Sequence, residues 1–87
     1  MTGALQVWSH TFCRCFDRLP PELRESITVK VDDMGRRLAT FPHERLTGRA
    51  EFKLRAGDYR ILYEFDAALG RIHLLYVGHR REIYKRP

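Results

Sequence analysis

The sequence predicts an α+β fold: an N-terminal strand, a two-helix hairpin and a three-stranded antiparallel meander, packed as a two-layer sandwich. Three observations carry this. Apolar residues recur at helical intervals through the first half of the chain, and Pro20-Pro21 divides them into two helices. From Glu51 onward the period changes to strict alternation, as in a half-buried strand. The later segments are joined by turns too short for anything but antiparallel neighbours.

Taken in order, Ala4 to Ser9 is β-prone at Val7 and Trp8 and reads as a strand, with Trp8 expected in the core. Ser9 or Thr11 can cap a short helix whose Phe12, Cys15, Phe16 and Leu19 form one apolar stripe. A second helix runs from Pro21 to about Ala39, with Leu23, Ile27, Val31, Met34 and Leu38 turned to the core and Glu22 at the positive end of the dipole. Phe41-Pro42 stops it, and a loop is expected through Gly48. The first meander strand holds Phe52 and Leu54 between Glu51, Lys53 and Arg55. Ala56-Gly57-Asp58 then turns the chain into Tyr59 to Phe65, where Tyr59, Tyr63 and Phe65 are expected in the core. Asp66 to Gly70 turns it again into Arg71 to Val77.

The 87 residues are expected to form one domain, 1–87, and 44% hydrophobic residues argue against wholesale disorder. Cys13 and Cys15 are too few for a disulfide scaffold and lack companions at zinc-ligand spacing, so reduced thiols and no metal are expected. No apolar run reaches the ~18 residues of a membrane span, and the N-terminus has no secretion signal. A soluble cytoplasmic protein, with no membrane association and no cofactor, is the expectation.

Sixteen Lys and Arg against eleven Asp and Glu give a formal charge of +5, an excess that attracts polyanions. The cations concentrate on the meander. Lys53 and Arg55 share one strand face, Arg60 begins the next strand, and His79, Arg80 and Arg81 follow the last. Cleaving RNA through the ribose 2′-hydroxyl needs a base, a donor for the leaving oxygen and fixed positive charge around the phosphorane. Arg matches phosphate oxygens with a planar fork, and a lysine amine crowded by other cations can act as a base. Tyr84 can hold a splayed nucleobase. By composition and spacing alone, a nuclease, a passive nucleic-acid binder and a protein with an acidic partner all remain open. His10, His43 and His73 read as surface or fold residues.

Phe52-Lys53-Leu54-Arg55-Ala56-Gly57-Asp58-Tyr59-Arg60-Ile61-Leu62-Tyr63 resembles the meander of the RelE/ParE toxin superfamily. Val77-Gly78-His79-Arg80-Arg81-Glu82-Ile83-Tyr84 is similar to that family's ending, and Leu46-Thr47-Gly48 to its entry into the meander. The resemblance covers nearly the whole chain. It implies a RelE-like sandwich and the toxin of a type II toxin–antitoxin system, held inactive in a hetero-oligomer by a cognate antitoxin. It further implies a metal-independent endoribonuclease that cuts mRNA in the ribosomal A site. ParE-like members instead poison DNA gyrase and lack the nuclease residues.

Position by position, the resemblance implies that Lys53 takes a proton or balances transition-state charge. Arg60 stabilises the phosphate, Arg80 serves as general acid, and Tyr84 orients the nucleotide. Arg80 and Arg81 are interchangeable by composition, and only the resemblance selects Arg80. Glu51 departs from the pattern, standing where the best-known member has a second lysine. As in the related YoeB toxins, where a glutamate is proposed as base, Glu51 could take that role, or it could pair with Lys53. His79, of a residue type that titrates near neutrality, is the other rival for proton transfer. Arg55, Arg81 and Lys85 complete the expected RNA-binding set. Arginine is a poor acid, since its pKa exceeds about 12, so Arg80 would act mainly through its charge.

Overall fold

In the computed structural model, which describes residues 3–83, eight elements follow one another along the chain. They are β1 (Leu5–Trp8), α1 (His10–Asp17), α2 (Pro21–Arg36), β2 (Glu44–Arg45), β3 (Phe52–Ala56), β4 (Tyr59–Asp66), β5 (Arg71–His79) and α3 (Arg80–Ile83). The strands form one sheet in the order β1-β5-β4-β3-β2. Its centre is the expected meander, antiparallel throughout, while β1 joins β5 in parallel.

Local chemistry explains the helix ends. Ser9 is extended and its hydroxyl accepts the Phe12 N–H at 3.0 Å, which satisfies an orphan donor of the first turn. Pro21 opens α2, where a missing N–H loses nothing. The helix ends at Arg36, three residues short of the expected Ala39, and the chain turns through residues 37–40.

One sheet face packs on the helices. Ile61 and Tyr63 of β4 and Ile72, Leu74 and Val77 of β5 meet Phe12, Ile27, Val31, Met34 and Leu38. Truncating one such fully buried aliphatic chain costs about 2–5 kcal/mol. The core positions of β5 are 72, 74 and then 77, so the parity of the strand breaks. A bulge does this: Tyr63 pairs with Leu74 but Leu62 pairs with Tyr76, leaving Leu75 unmatched. The Ser9 hydroxyl donates to the carbonyl of Leu75 at 3.0 Å, so one side chain caps α1 and occupies the bulge. Beyond the bulge, Tyr76 and Gly78 stand opposite Leu62 and Arg60, on the face turned away from the helices. A smaller cluster lies there, with Leu46, Leu62 and Ile83 buried and Tyr76 packed against them.

Three expectations are corrected. The stretch read as a loop through Gly48 contains β2, which pairs Glu44 with Lys53 and Arg45 with Phe52; two residues are too few to show any period. The last strand reaches His79, and a single helical turn, α3, follows it. Trp8 is 38% exposed, not core, because β1 is an edge strand. Its ring packs edge-on against Phe12 and Phe16, both at 5.0 Å, and its indole N–H donates to Gln6 at 3.1 Å. Cys15 packs against the core, and among the described residues no helix is long and apolar enough to cross a membrane.

Ser9→Ala removes both the cap and the bulge contact. It is expected to cost about 1–3 kcal/mol by urea unfolding, a cap and a part-buried hydrogen bond together; a loss below about 0.5 kcal/mol would show that the bulge holds itself.

Candidate active site on the open sheet face

The face turned away from the helices collects the cations. Arg55 and Arg60 are direct cross-strand partners, and Arg60 is also the partner of Gly78. Lys53 faces Leu62, one pleat along from the Arg55–Arg60 pair. Like charges directly opposite each other are destabilising by a few tenths of a kcal/mol or more, so this row has a reason other than stability.

Arg60 is the buried cation, only 8% exposed. Its Nη1 donates to the carbonyls of Gly57 at 2.8 Å and Tyr59 at 2.9 Å, not to Glu64 or Asp58. Nε and Nη2 have no partner among the described residues, which leaves one edge of the fork for an anion. Gly57 sits at a φ of 61°, the left-handed conformation that the tight turn requires and that favours glycine. The same turn also holds Arg80: its backbone N–H donates to the Asp58 carbonyl at 2.7 Å. Its guanidinium Nε lies 3.9 Å from the Asp58 carboxylate, a loose pair with both side chains more than half exposed. Two residues, Gly57 and Asp58, thus anchor both arginines.

Lys53 has a side chain 12% exposed, with Nζ 3.5 Å from the Glu44 carboxylate. Glu44 was missed in the sequence because β2 carries no pattern; register alone brings it to Lys53. Glu51 is gripped by Arg49, whose Nε and Nη2 donate to its two carboxylate oxygens at 3.1 and 3.3 Å. The structure thus places a carboxylate beside the lysine and a second one, itself salt-bridged, two residues before it.

His79 falls elsewhere. It pairs with Tyr59, and the two rings meet edge-on at 5.5 Å on the helix side of the sheet. Its Nδ1 accepts the Arg81 N–H at 3.2 Å, so this nitrogen serves the start of α3. Arg81 is exposed on that turn, while Tyr84 and Lys85 lie outside the described residues. Among the described residues no group of three or more His, Cys, Asp or Glu is placed to hold a metal ion.

Behind Glu44 lies a polar relay inside an aromatic cluster. His43 Nε2 sits 2.8 Å from the Leu38 carbonyl, which can only accept, so Nδ1 is left to accept the Tyr63 hydroxyl proton at 2.6 Å. The imidazole stacks on Phe65 at 3.8 Å. His43 is therefore a fold residue that fixes the entry to β2. Burial, and secondarily the Glu44 charge, push the Tyr63 phenol well above its ordinary value of 10.0.

Residues 7–84 match a family model described as the ParE toxin of the type II toxin-antitoxin system parDE. No curated protein sequence matches. Among solved structures, the toxin–antitoxin complex RelBE2 from Mycobacterium tuberculosis is 26% identical, with a TM-score of 0.74 over 92% of this chain and 94% of that one. The isolated E. coli RelE toxin is 17% identical (TM-score 0.69, covering 95% and 97%). The RelE–RelB complex from Pyrococcus horikoshii is 20% identical (TM-score 0.72, covering 92% and 97%). The last two speak to the fold alone.

The raised phenol sets a pH dependence. A folded-state pKa above the unfolded one leaves stability whole below about pH 10 and drains it as pH rises toward the folded value, by at most about 1.4 kcal/mol per unit. Urea midpoints of the protein and of Tyr63→Phe are expected to differ by a constant amount below pH 10 and to converge above it. A constant difference throughout would contradict the buried-phenol assignment.

Proposed function

Because the chain belongs to the ParE toxin family of type II toxin–antitoxin systems, with the fold of the RelE toxins, we propose that it cleaves mRNA by metal-independent acid–base chemistry. The supporting observation is the tethering of Arg60 and Arg80 to one turn, with Lys53 one pleat away on the same face as Arg60.

In the proposed reaction the ribose 2′-oxygen gives up its proton and forms a bond to the adjacent phosphorus. The bond from phosphorus to the 5′-oxygen breaks, and that oxygen takes a proton, leaving a 2′,3′-cyclic phosphate and a 5′-hydroxyl. In the Lys53–Glu44 pair, 3.5 Å apart, the carboxylate takes the proton and the ammonium supplies the adjoining charge. Glu51 is a weaker candidate while Arg49 occupies both its oxygens. Arg60 receives the phosphorane on its open edge, and Arg80 lies at the leaving-oxygen end and acts by charge. Arg55 and Arg81 hold flanking phosphates, with Lys85 beside them, and Tyr84 orients the base. His79, on the other side of the sheet, has no part in the step.

The proposed partners are mRNA on the ribosome and an antitoxin; the second is supported by the solved RelBE2 toxin–antitoxin complex and the P. horikoshii RelE–RelB complex. The chain is expected to work in the cytoplasm, where both are found. A flexible acidic antitoxin segment that folds onto the basic face would neutralise the like charges there. The ParE name of the matching family favours a second reading, a gyrase inhibitor without nuclease activity.

Expression of the toxin, with mapping of new RNA ends at ribosome-bound codons, tests this. Arg60→Ala is expected to lower cleavage by about 10²–10³-fold, and Lys53→Ala by about 10²-fold. DNA double-strand breaks with intact transcripts would overturn the ribonuclease reading in favour of gyrase poisoning.

A further inference from the structure

Exposed apolar side chains are ordinary when scattered and informative when they cluster. Among the described residues, Leu5, Val29 and Leu69 are 61%, 59% and 62% exposed. All three border grooves that meet at Arg36, the last residue of α2. Leu5 and Leu69 line one of about 590 Å³ together with Arg36 and Arg37. Val29 lines a second, of about 380 Å³, with the same two arginines, Phe41 and Leu54. This end of the molecule is remote from the cationic row. Leu69 follows β4, whose eight residues put it about 23 Å along the strand from the turn that holds Arg60 and Arg80. Leu54 and Phe41 pack on the helix side of the sheet.

The charges bordering the grooves are unevenly committed. Asp32 accepts the Gln6 amide at 2.7 Å, Asp33 the Arg37 guanidinium at 2.7 Å, and Asp66 the backbone N–H of Leu69 at 3.1 Å. Each carboxylate is thus engaged within the fold. Arg37 is engaged too, lying over the Phe41 ring at 5.1 Å as well as on Asp33. Arg36 reaches only the occupied Asp33 carboxylate, at 3.9 Å, with its side chain 60% exposed. Lys30 adds a further cation to the second groove. Aliphatic anchors around an available cation suit a peptide with apolar side chains and carboxylates. They do not suit RNA, whose exposed bases stack on aromatic rings, and the Phe41 ring lies under Arg37.

We propose that this end of the molecule is a docking surface for an acidic segment of the antitoxin, with apolar side chains entering the two grooves and carboxylates meeting Arg36. The inference rests on the antitoxin partner named above and not on the reaction the toxin performs. One segment then holds the partner here while another covers the basic face. Two linked contacts raise each other's effective concentration, so the antitoxin stays attached even where RNA competes for the catalytic cations.

The test compares the full chain with Leu69→Asp and Arg36→Glu, using the antitoxin of the same operon. Growth arrest without antitoxin is one readout, and the dissociation constant for the purified antitoxin is the other. Both side chains are exposed, so arrest is expected at the wild-type level. Affinity for the antitoxin is expected to fall about 10–100-fold in each variant. Arg36→Lys keeps the charge and is expected to stay within about 5-fold. Unchanged affinity in Leu69→Asp and Arg36→Glu overturns the docking surface and leaves the antitoxin reading standing. Normal antitoxin binding with loss of arrest would assign the surface to the toxin's target and overturn it too. So would a wild-type dimer in light scattering that both variants dissolve at unchanged antitoxin affinity, which would assign the grooves to a second copy. A wild-type chain that this antitoxin neither binds nor neutralises overturns both readings.

Discussion

The bulge at Leu75 is the constraint on which the rest of the molecule depends. Five residues of β5 must meet opposite demands: Ile72, Leu74 and Val77 fill the core, while Tyr76 and Gly78 face away from it. A regular strand cannot serve both, because side chains alternate strictly. One extra residue resets the parity, and its carbonyl must still find a donor. Ser9 supplies it from the start of α1, and the same oxygen caps that helix. Helix layer, sheet core and open face are thus keyed together through one hydroxyl.

The cationic face follows a similar logic of shared anchors. Arginines in adjacent strands repel, and a small domain has little stability to spare. Part of the strain is absorbed by the main chain, since the Gly57 and Tyr59 carbonyls take the Arg60 Nη1 hydrogens while the Asp58 carbonyl fixes the backbone of Arg80. Acidic side chains hold the periphery: Glu44 on Lys53, Glu51 on Arg49 and, loosely, Asp58 on Arg80. The residual repulsion is the kind that a bound polyanion or acidic segment relieves, which couples ligand binding to stability.

Most of the fold was legible in the sequence because long periodic elements announce themselves. The four-residue spacing of Ile27 and Val31 marks the second helix, and the alternation around Phe52 and Leu54 marks the meander. What escaped had no period to read. Glu44–Arg45 forms too short a strand, so the carboxylate beside Lys53 was invisible until the register was known. Tyr76 was hidden by the parity break, and Trp8 was misplaced because hydrophobicity does not tell an edge strand from a central one. Arg60 and Arg80 were identifiable by type and position, and so was the Ala56-Gly57-Asp58 turn, but not that its carbonyls hold both residues. His79 is next to Arg80 in sequence, yet its ring lies against Tyr59 on the helix side of the sheet.

The parallel seat of β1 has a further consequence for the timing of folding. Ser9 and Leu75 are 66 positions apart, so the first strand cannot dock until nearly all of the chain exists. Closing so long a loop is entropically unfavourable and slow compared with forming the helix hairpin or the meander turns. During synthesis the helices and inner hairpins are free to form early, but the sheet stays unfinished on one side until the final strand emerges. The β1 edge of the sheet is therefore the last to close, after β5 is in place.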